Sequence, residues 1–218
     1  VNWLAFIPAW LLHTEKFFDL MGGVTFLSVT TLAMALTPVR DGRAWLLAGM
    51  VTVWALRLSL FLFVRIRKAG VDARFDEIKV SLPRFLLTWT LQGLWAAVTL
   101  AAALAAITAK TRTPPDFWAA LGAAVWLFGF VFEVVADVQK SRFRADPNNR
   151  DRFIRTGLWA WSRHPNYFGE IMVWIGVALV ALPMLAGWRW LTLTSPLFVV
   201  LLLTRVSGIP MLEAHADE

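Results

Sequence analysis

Residues 117–140 read FWAALGAAVWLFGFVFEVVADVQK, an apolar run that is long enough to cross a lipid bilayer. A transmembrane α-helix needs about 20 predominantly apolar residues. Glu133 and Asp137 lie toward one end of this run, and Lys140 follows them. Because charged side chains are costly in hydrocarbon, acids within a span usually face a protein interior or a wet cavity. The segment therefore predicts a membrane-spanning helix with a polar site at one end.

Further apolar runs occur along the chain, in which 58% of residues are hydrophobic and 17% are charged. A soluble domain has about 25% charged residues. The runs are Val1–Leu12, which is short, Phe17–Leu36, Ala44–Val64, Leu82–Ile107, Tyr167–Leu182 and Leu191–Val206. We therefore predict an all-α fold, a polytopic membrane helix bundle with six to seven transmembrane helices. Pro183 and Pro196 predict a turn and a kink within its last part.

No internal repeat or low-complexity linker interrupts the chain, so we predict a single integral membrane domain over residues 1–218. The absence of cysteine excludes disulfides and thiolate metal sites. Because the chain has three histidines in all, we expect no metal centre.

Lysine and arginine are distributed unequally between the two sides of this predicted bundle. Fourteen lie at Lys16 or in the loops after the third and fifth runs, and five lie in the opposite loops. Cytoplasmic loops of membrane proteins carry the excess of Lys and Arg. We therefore expect the fourteen-cation side to face the cytoplasm. The formal charge of +6 is then a signal of topology, and we expect no nucleic-acid partner.

Glu133, Asp137, Lys140 and Arg144 are separated by four, three and four residues, so they share one helical stripe. Two acids within the apolar run are followed by two cations that emerge from it. This order suits a polar ligand at the membrane boundary, with cations binding phosphates and acids accepting hydrogen bonds from hydroxyl or carboxamide groups. In the alternative interpretation, one carboxylate simply pairs with Lys140 or with Arg57 of another span.

Residues 156–170 read TGLWAWSRHPNYFGE and predict a second part of the same site. Gly157 permits a tight approach or an unusual backbone angle. Pro165 stands where a helix can begin, and the N-terminus of a helix favours a phosphate or another anion. Asn166 and Glu170 are four residues apart, so they lie on one face of that helix.

The segments Gly157–Trp159 and Ser162–Glu170 closely resemble the C-terminal signature of the steroid 5α-reductase superfamily. Further segments are similar to a little-characterised bacterial branch of it, namely Thr14–Leu20, Arg57-Leu58, Gly70–Asp76 and Ala136–Lys140. The resemblance covers nearly the whole chain. Isoprenylcysteine-type methyltransferases and sterol C14/C7 reductases carry similar Arg-His-Pro-Asn-Tyr motifs.

The resemblance implies a seven-span fold that binds NADPH in the C-terminal bundle from the cytoplasmic side. It suggests a cofactor half at about residues 117–218 and a substrate-side half at about 1–107. Asn166 and Glu170 match the family's Asn and Glu at the cofactor, and Asp137 matches an acidic residue there. Arg144 and Arg205 match cofactor arginines. The full set of candidate cofactor residues is Glu133, Asp137, Lys140, Arg144, Arg163, His164, Asn166, Tyr167, Glu170 and Arg205.

The substrate-side half departs from the family pattern. In the related reductases, a Glu on the second span and a Tyr on the third polarise the substrate carbonyl. Here Trp54 stands at the Tyr position, three residues before Arg57. We therefore expect Asp19, with Glu15 in reserve, to be the catalytic donor that stabilises an enolate oxygen during hydride transfer.

Three functions are compatible with these patterns. The first is a membrane-embedded, NADPH-dependent reductase of an activated C=C bond in a hydrophobic, steroid- or lipid-like enone that enters from the lipid. The second is an S-adenosylmethionine-dependent membrane methyltransferase of the isoprenylcysteine type, which would need fewer cations because its cofactor has no phosphate. The third is a non-enzymatic lipid-binding or transport protein whose intramembrane charges line a pathway. The branch that the chain resembles suggests a bacterial inner membrane.

Overall fold

The computed structural model describes residues 1–69, 75–149 and 152–206, and within these ranges the regular structure is entirely helical. The α-helices are α1 (Asn2–Leu11), α2 (Phe18–Leu36), α3 (Gly42–Ala69), α4 (Leu82–Ile107), α5 (Phe117–Ala145), α6 (Pro165–Ala181) and α7 (Thr194–Leu201). Short 3-10 helices cover Pro147–Asn149, Gly157–Ala160, Leu182–Met184 and Gly187–Leu193, and a π-helical turn covers Leu202–Val206. The all-α prediction is confirmed.

In the part of the chain that the structure describes, six helical segments are long and apolar enough to cross a membrane. They are Phe18–Leu36, Gly42–Lys68, Leu82–Ile107, Phe117–Ala145, Pro165–Met184 and Gly187–Val206. The predicted number of spans is therefore confirmed, with α1 as a shorter helix of 10 residues. Part of the segment Gly70–Asp76 and two of the fourteen cations, Arg74 and Arg150, lie outside the described residues.

The two prolines of the C-terminal region behave differently. Pro183 lies in the 3-10 helix that ends the α6 span, as expected for a turn. Pro196 was expected to kink a span, but it lies in the first turn of α7. Because the first backbone N–H groups of a helix have no partner within it, proline is tolerated there without a kink.

Two compact units make up the chain, Val1–Pro114 with α1–α4 and Pro115–Glu218 with α5–α7. The assignment of a substrate-side half and a cofactor half stays a prediction.

A buried polar network joins three helices of the N-terminal unit. The Asn2 side-chain amide donates to Gln92 Oε1 at 2.9 Å, and Thr25 Oγ1 donates to Asn2 Oδ1 at 2.7 Å. Gln92 Nε2 in turn donates to the carbonyl of Phe18 at 2.9 Å. Since an unsatisfied polar group is costly in a membrane, these bonds favour one arrangement of α1, α2 and α4.

Glycine brings α5 and α6 of the C-terminal unit into backbone contact. A Cβ atom on Gly129 would lie 2.7 Å from the Gly169 carbonyl oxygen and from Val173 N. One on Gly122 would lie 2.7 Å from the Gly176 carbonyl oxygen. Lipid offers little hydrophobic drive for helix association, so close contact of small residues supplies much of it. The two helices are therefore held at a distance that no larger side chain permits.

We predict that Gly129→Ala lowers the melting temperature of the detergent-solubilised protein. The added methyl group forces α5 away from α6, and overpacking of this kind costs about 1–3 kcal/mol. Gly49→Ala in α3 is the matched control, since its Cβ would meet nothing within 4 Å. There the better helix propensity of alanine should leave stability unchanged or slightly raised. Equal melting temperatures for the two variants, measured by intrinsic fluorescence, would contradict the close contact.

Candidate functional site

The acidic stripe lies on a single continuous helix. The helix α5 extends to Ala145, so it includes the two acids and the two cations that follow them, as the predicted helical stripe requires. Glu133 is 2% exposed and Asp137 is 5% exposed, whereas Arg144 is exposed. The helix therefore carries its polar side chains from a buried level to the solvent, as the spacing predicts.

The contact between α5 and α6 brings the second motif to the level of the acids. A Cβ on Gly169 would lie 2.7 Å from the backbone nitrogen of Glu133 and 2.8 Å from its Cβ. The next residue, Glu170, is 8% exposed, and Asn166 lies one turn before it in a half-buried position. The helix α6 begins at Pro165, as predicted. The backbone contact thus places Glu133 of α5 beside Gly169, the residue before the buried Glu170 of α6.

The short 3-10 helix Gly157–Ala160 is attached to the C-terminal part of α5. The Leu158 N–H donates to Gln139 Oε1 at 3.0 Å, and the buried Trp159 indole N–H donates to the Ala136 carbonyl at 2.9 Å. The ammonium group of Lys140 lies 4.6 Å from the centroid of the Trp159 ring, within range of a cation–π attraction. Two side chains thereby fix the loop that precedes the Ser162–Glu170 motif.

Gly157 meets the expectation of an unusual backbone angle. Its φ is +61°, a region that L-residues with a side chain rarely occupy. A Cβ atom at this position would also lie 2.6 Å from the amide group of Gln139. The backbone angle favours glycine, and a Cβ there would displace the Gln139 amide that accepts from the Leu158 N–H.

His164 and Tyr167 stack on each other at the start of α6. Their ring centroids are 5.4 Å apart with an interplanar angle of 9°, and both side chains are half-buried. The His164 backbone N–H donates to Ser162 Oγ at 3.1 Å. Arg163 between them is exposed. The motif therefore presents an ordered aromatic pair next to a solvent-exposed cation.

The remaining cofactor candidate, Arg205, is exposed in the π-helical turn Leu202–Val206. Among the described residues, neither Arg205 nor Arg144 forms an ion pair with the buried acids. Both guanidinium groups are therefore accessible to a ligand in solution.

In the N-terminal unit, the two candidate catalytic acids lie in different surroundings. Glu15 is 4% exposed, and it pairs with Lys79, whose ammonium group lies 3.2 Å from Glu15 Oε2 and 3.1 Å from Asp76 Oδ1. Asp19 lies in the first turn of α2 and is half-buried. The assignment of Asp19 as the catalytic donor, with Glu15 in reserve, stays a prediction.

Trp54, at the position where related reductases have Tyr, is fully buried in the core of the N-terminal unit. It packs edge-on against Phe26 with ring centroids 5.0 Å apart. Phe18, the residue before Asp19, accepts a hydrogen bond that the sequence did not predict. Gln92 Nε2 donates to its carbonyl oxygen. This bond holds the backbone beside the candidate donor.

Gln139, Trp159, Gln92 and the α5–α6 glycines are the positioning residues that the sequence analysis missed. A signal existed for the glycines, because Gly122 and Gly129 on one helix and Gly169 and Gly176 on the other are both seven apart. No comparable signal existed for the side chains.

Comparison with known proteins gives one family and one distant relative. A family model described as "Protein of unknown function (DUF1295)" matches residues 5–218. The chain is also 25% identical over 193 residues to an uncharacterized protein of Schizosaccharomyces pombe, an alignment that covers 72% of this chain and 55% of that protein. The chain thus spans about half the length of the curated relative that it matches. No solved structure matches it.

We predict that Lys79→Met destabilises the protein, because it leaves the buried Glu15 carboxylate without its cation. Loss of one partner of such a pair costs about 1–3 kcal/mol or more. The hydrogen bond to Asp76, followed by the bond and charge of Glu15, raises the pKa of Lys79 above 10.5 against the opposing effect of burial. The stabilisation of the folded state by the charged Lys79 is therefore complete below pH 10.5. It is lost as pH rises through the higher pKa that Lys79 has in the folded protein.

The measurement is thermal unfolding of Lys79→Met, Glu15→Gln and the double variant near neutral pH. The double variant should be more stable than Lys79→Met, because no unpaired charge remains. Asp76→Asn is the control and should have a small effect, since Asp76 is exposed. Additive losses in the double variant would show that Glu15 and Lys79 do not interact.

Proposed function

Because the chain belongs to the DUF1295 family, which is steroid 5α-reductase-like, we propose that it is a membrane-embedded NADPH-dependent reductase. Its proposed substrate is a hydrophobic, steroid- or lipid-like enone, whose activated C=C bond is reduced. Six apolar helices make it an integral membrane protein. We propose a bacterial inner membrane because of the branch that the chain resembles. We propose that the cofactor site faces the cytoplasm because of the excess of Lys and Arg in that set of loops.

The observation that carries this proposal is the course of α5 from buried acids to exposed cations. Glu133 and Asp137 are buried within the span, and Arg144 is exposed on the same stripe beyond it. Asn166 and Glu170 lie at the level of these acids through the glycine contact. A dinucleotide has both kinds of partner for these groups, phosphates for the cations and hydroxyl or carboxamide donors for the acids.

The charged residues of the candidate site match the phosphates and the ribose hydroxyls of NADPH. Arg144, Arg163 and Arg205 are exposed guanidinium groups, which suit bidentate binding of phosphate. Buried carboxylates can accept hydrogen bonds from ribose hydroxyls. When bound, NADPH supplies a hydride to the β-carbon of the enone.

The chain itself must then stabilise the negative charge that develops on the substrate oxygen. We assign this role to Asp19, which would donate a hydrogen bond or a proton to that oxygen. Glu15, which pairs with Lys79, is the candidate in reserve. Uptake of a proton from solvent by the α-carbon completes the reduction.

A second candidate function rests on the aromatic pair His164–Tyr167. Aromatic faces attract cations, and the sulfonium group of S-adenosylmethionine is a cation. A membrane methyltransferase is thus the principal alternative, and a lipid-binding protein that takes neither cofactor is the third.

We predict that NADPH raises the melting temperature of the purified protein in detergent. A ligand present at about 100 times its dissociation constant stabilises the native state by about 2.7 kcal/mol. Arg144→Ala and Asn166→Ala should weaken NADPH binding about tenfold or more, because each removes a hydrogen bond to the cofactor. Arg142→Ala is the matched control, since Arg142 is an exposed arginine of the same helix on another face.

NADH and S-adenosylmethionine are tested in parallel with NADPH. Stabilisation by S-adenosylmethionine alone would replace the reductase by the methyltransferase. Equal loss in Arg142→Ala and Arg144→Ala would mean that the stripe does not bind the cofactor. A response to none of the three ligands would favour the lipid-binding protein.

A further inference from the structure

An exposed tryptophan lies between α5 and α6, and the proposed reductase gives it no role. Residues 155–163 read RTGLWAWSR, and we call them the tryptophan turn. Trp159 is 8% exposed, whereas Trp161, two residues later, is 90% exposed. The tryptophan ring is large and apolar and is mostly buried in folded proteins. Almost complete exposure of this ring therefore indicates a partner outside the chain.

Trp161 is held in this position by the contacts of the turn with α5. Its backbone N–H donates to the Leu158 carbonyl at 3.2 Å, and the Leu158 N–H donates to Gln139 Oε1 at 3.0 Å. The Trp159 indole N–H donates to the Ala136 carbonyl at 2.9 Å. These bonds connect the backbone of Trp161 to one level of α5. The exposed ring thus stays at a fixed depth relative to the helix.

The two ends of the turn place that depth at the membrane boundary. Ala136 and Gln139 lie where the apolar part of α5 gives way to exposed cations such as Arg142. On the other side of the turn, Trp161 lies four residues before the span Pro165–Met184. A loop that is bound near the end of one span and leads directly into the next lies at the level of the lipid headgroups. This is the region of the bilayer in which tryptophan is enriched.

Cations flank the exposed ring on both sides. Arg155 and Arg163 are exposed at the ends of the tryptophan turn, and its sequence contains no acidic residue. Guanidinium groups match phosphate in bidentate geometry, and each cation near an anionic membrane surface contributes about 1 kcal/mol. A leaflet of anionic lipid therefore offers phosphates for the two cations and the boundary of its acyl chains for the ring.

We propose that the tryptophan turn binds the headgroup region of an anionic lipid leaflet. The Trp161 ring inserts among the lipids, and Arg155 and Arg163 bind their phosphates. A nucleotide is the rival occupant, because a base can stack on an exposed ring and its phosphates can bind the same cations. The depth of the turn favours the lipid, since headgroups surround the ring at this level whether or not a nucleotide is bound.

The test measures the depth of the turn by spin labelling of the chain in lipid nanodiscs. Because the chain has no cysteine, Ala160→Cys gives a single nitroxide site beside Trp161. Asn148→Cys is the matched control, since Asn148 is exposed beyond the end of α5. We expect the label at position 160 to be several-fold more accessible to oxygen, which concentrates among acyl chains, than to a water-soluble nickel chelate. The label at position 148 should show the opposite preference.

Trp161→Ser in the Ala160→Cys protein removes the inserted ring. It should shift the label toward the nickel chelate and leave the melting temperature in detergent unchanged, because the ring is exposed. Trp188→Ser is the matched control, since Trp188 is 75% exposed but lies outside the turn, and it should leave the label unaffected.

The two arginines are tested by comparing discs of phosphatidylglycerol with discs of phosphatidylcholine. In phosphatidylglycerol, Arg155→Gln and Arg163→Gln should each weaken insertion of the label about fivefold, as expected for the loss of one cation near an anionic surface. In phosphatidylcholine, which has no net charge, neither variant should change it.

Four results would overturn the proposal. A label at position 160 that is as accessible to nickel as the label at 148 would place the turn in water. A label that is shielded from both reagents would mean that protein covers the ring. Shielding that develops only when NADPH is added would assign the turn to a nucleotide. Equal effects of the arginine variants in both lipids would exclude recognition of lipid charge.

Discussion

The backbone contact between α5 and α6 is the constraint on which the C-terminal unit depends. In a bilayer the lipid tails are as apolar as the side chains they meet, so helices gain little by burying leucine against each other. Gly129 and Gly169 instead let the two backbones approach so closely that a single methyl group on either residue would overlap the opposite helix. The same contact sets the level of Glu133 relative to Glu170, so the geometry of the candidate site follows from the packing of two helices.

The N-terminal unit uses polar side chains where the C-terminal unit uses glycine. Asn2, Thr25 and Gln92 satisfy one another and a main-chain carbonyl inside the bundle, and this network ends beside Asp19. At the membrane boundary, Lys79 ties the segment before α4 to Glu15 at the turn between α1 and α2. The polar network and the Lys79–Glu15 ion pair thus both fix parts of the chain near Asp19.

The sequence predicted the spans well because a membrane helix leaves an unambiguous run of apolar residues. It predicted helix ends less well: the apolar run Ala44–Val64 stops before α3 does. That helix continues to Ala69 because Arg65, Arg67 and Lys68 favour helix as strongly as the apolar residues before them. The burial of Glu133 and Asp137 and the positive φ of Gly157 were also predictable, since both follow from local rules. Contacts between distant residues were not.

Those distant contacts decide the details of the site. Nothing in the local pattern links Trp159 to the Ala136 carbonyl or Lys79 to Glu15, which are 23 and 64 residues apart. The second of these pairs gives Glu15 a cationic partner that the sequence alone did not indicate. Assignment of binding and catalytic roles therefore depends on packing that only the folded chain reveals.

The length of α5 ties the site to the physical state of the membrane. Its 29 residues extend about 43 Å, well beyond the roughly 30 Å of hydrocarbon in a typical bilayer. Such a helix accommodates a thinner or thicker membrane chiefly by tilting. Because buried acids and exposed cations are fixed on one rigid rod, a change of tilt raises or lowers the cations relative to the lipid headgroups. The affinity of this chain for a water-soluble ligand would then vary with the acyl-chain length of the lipids around it.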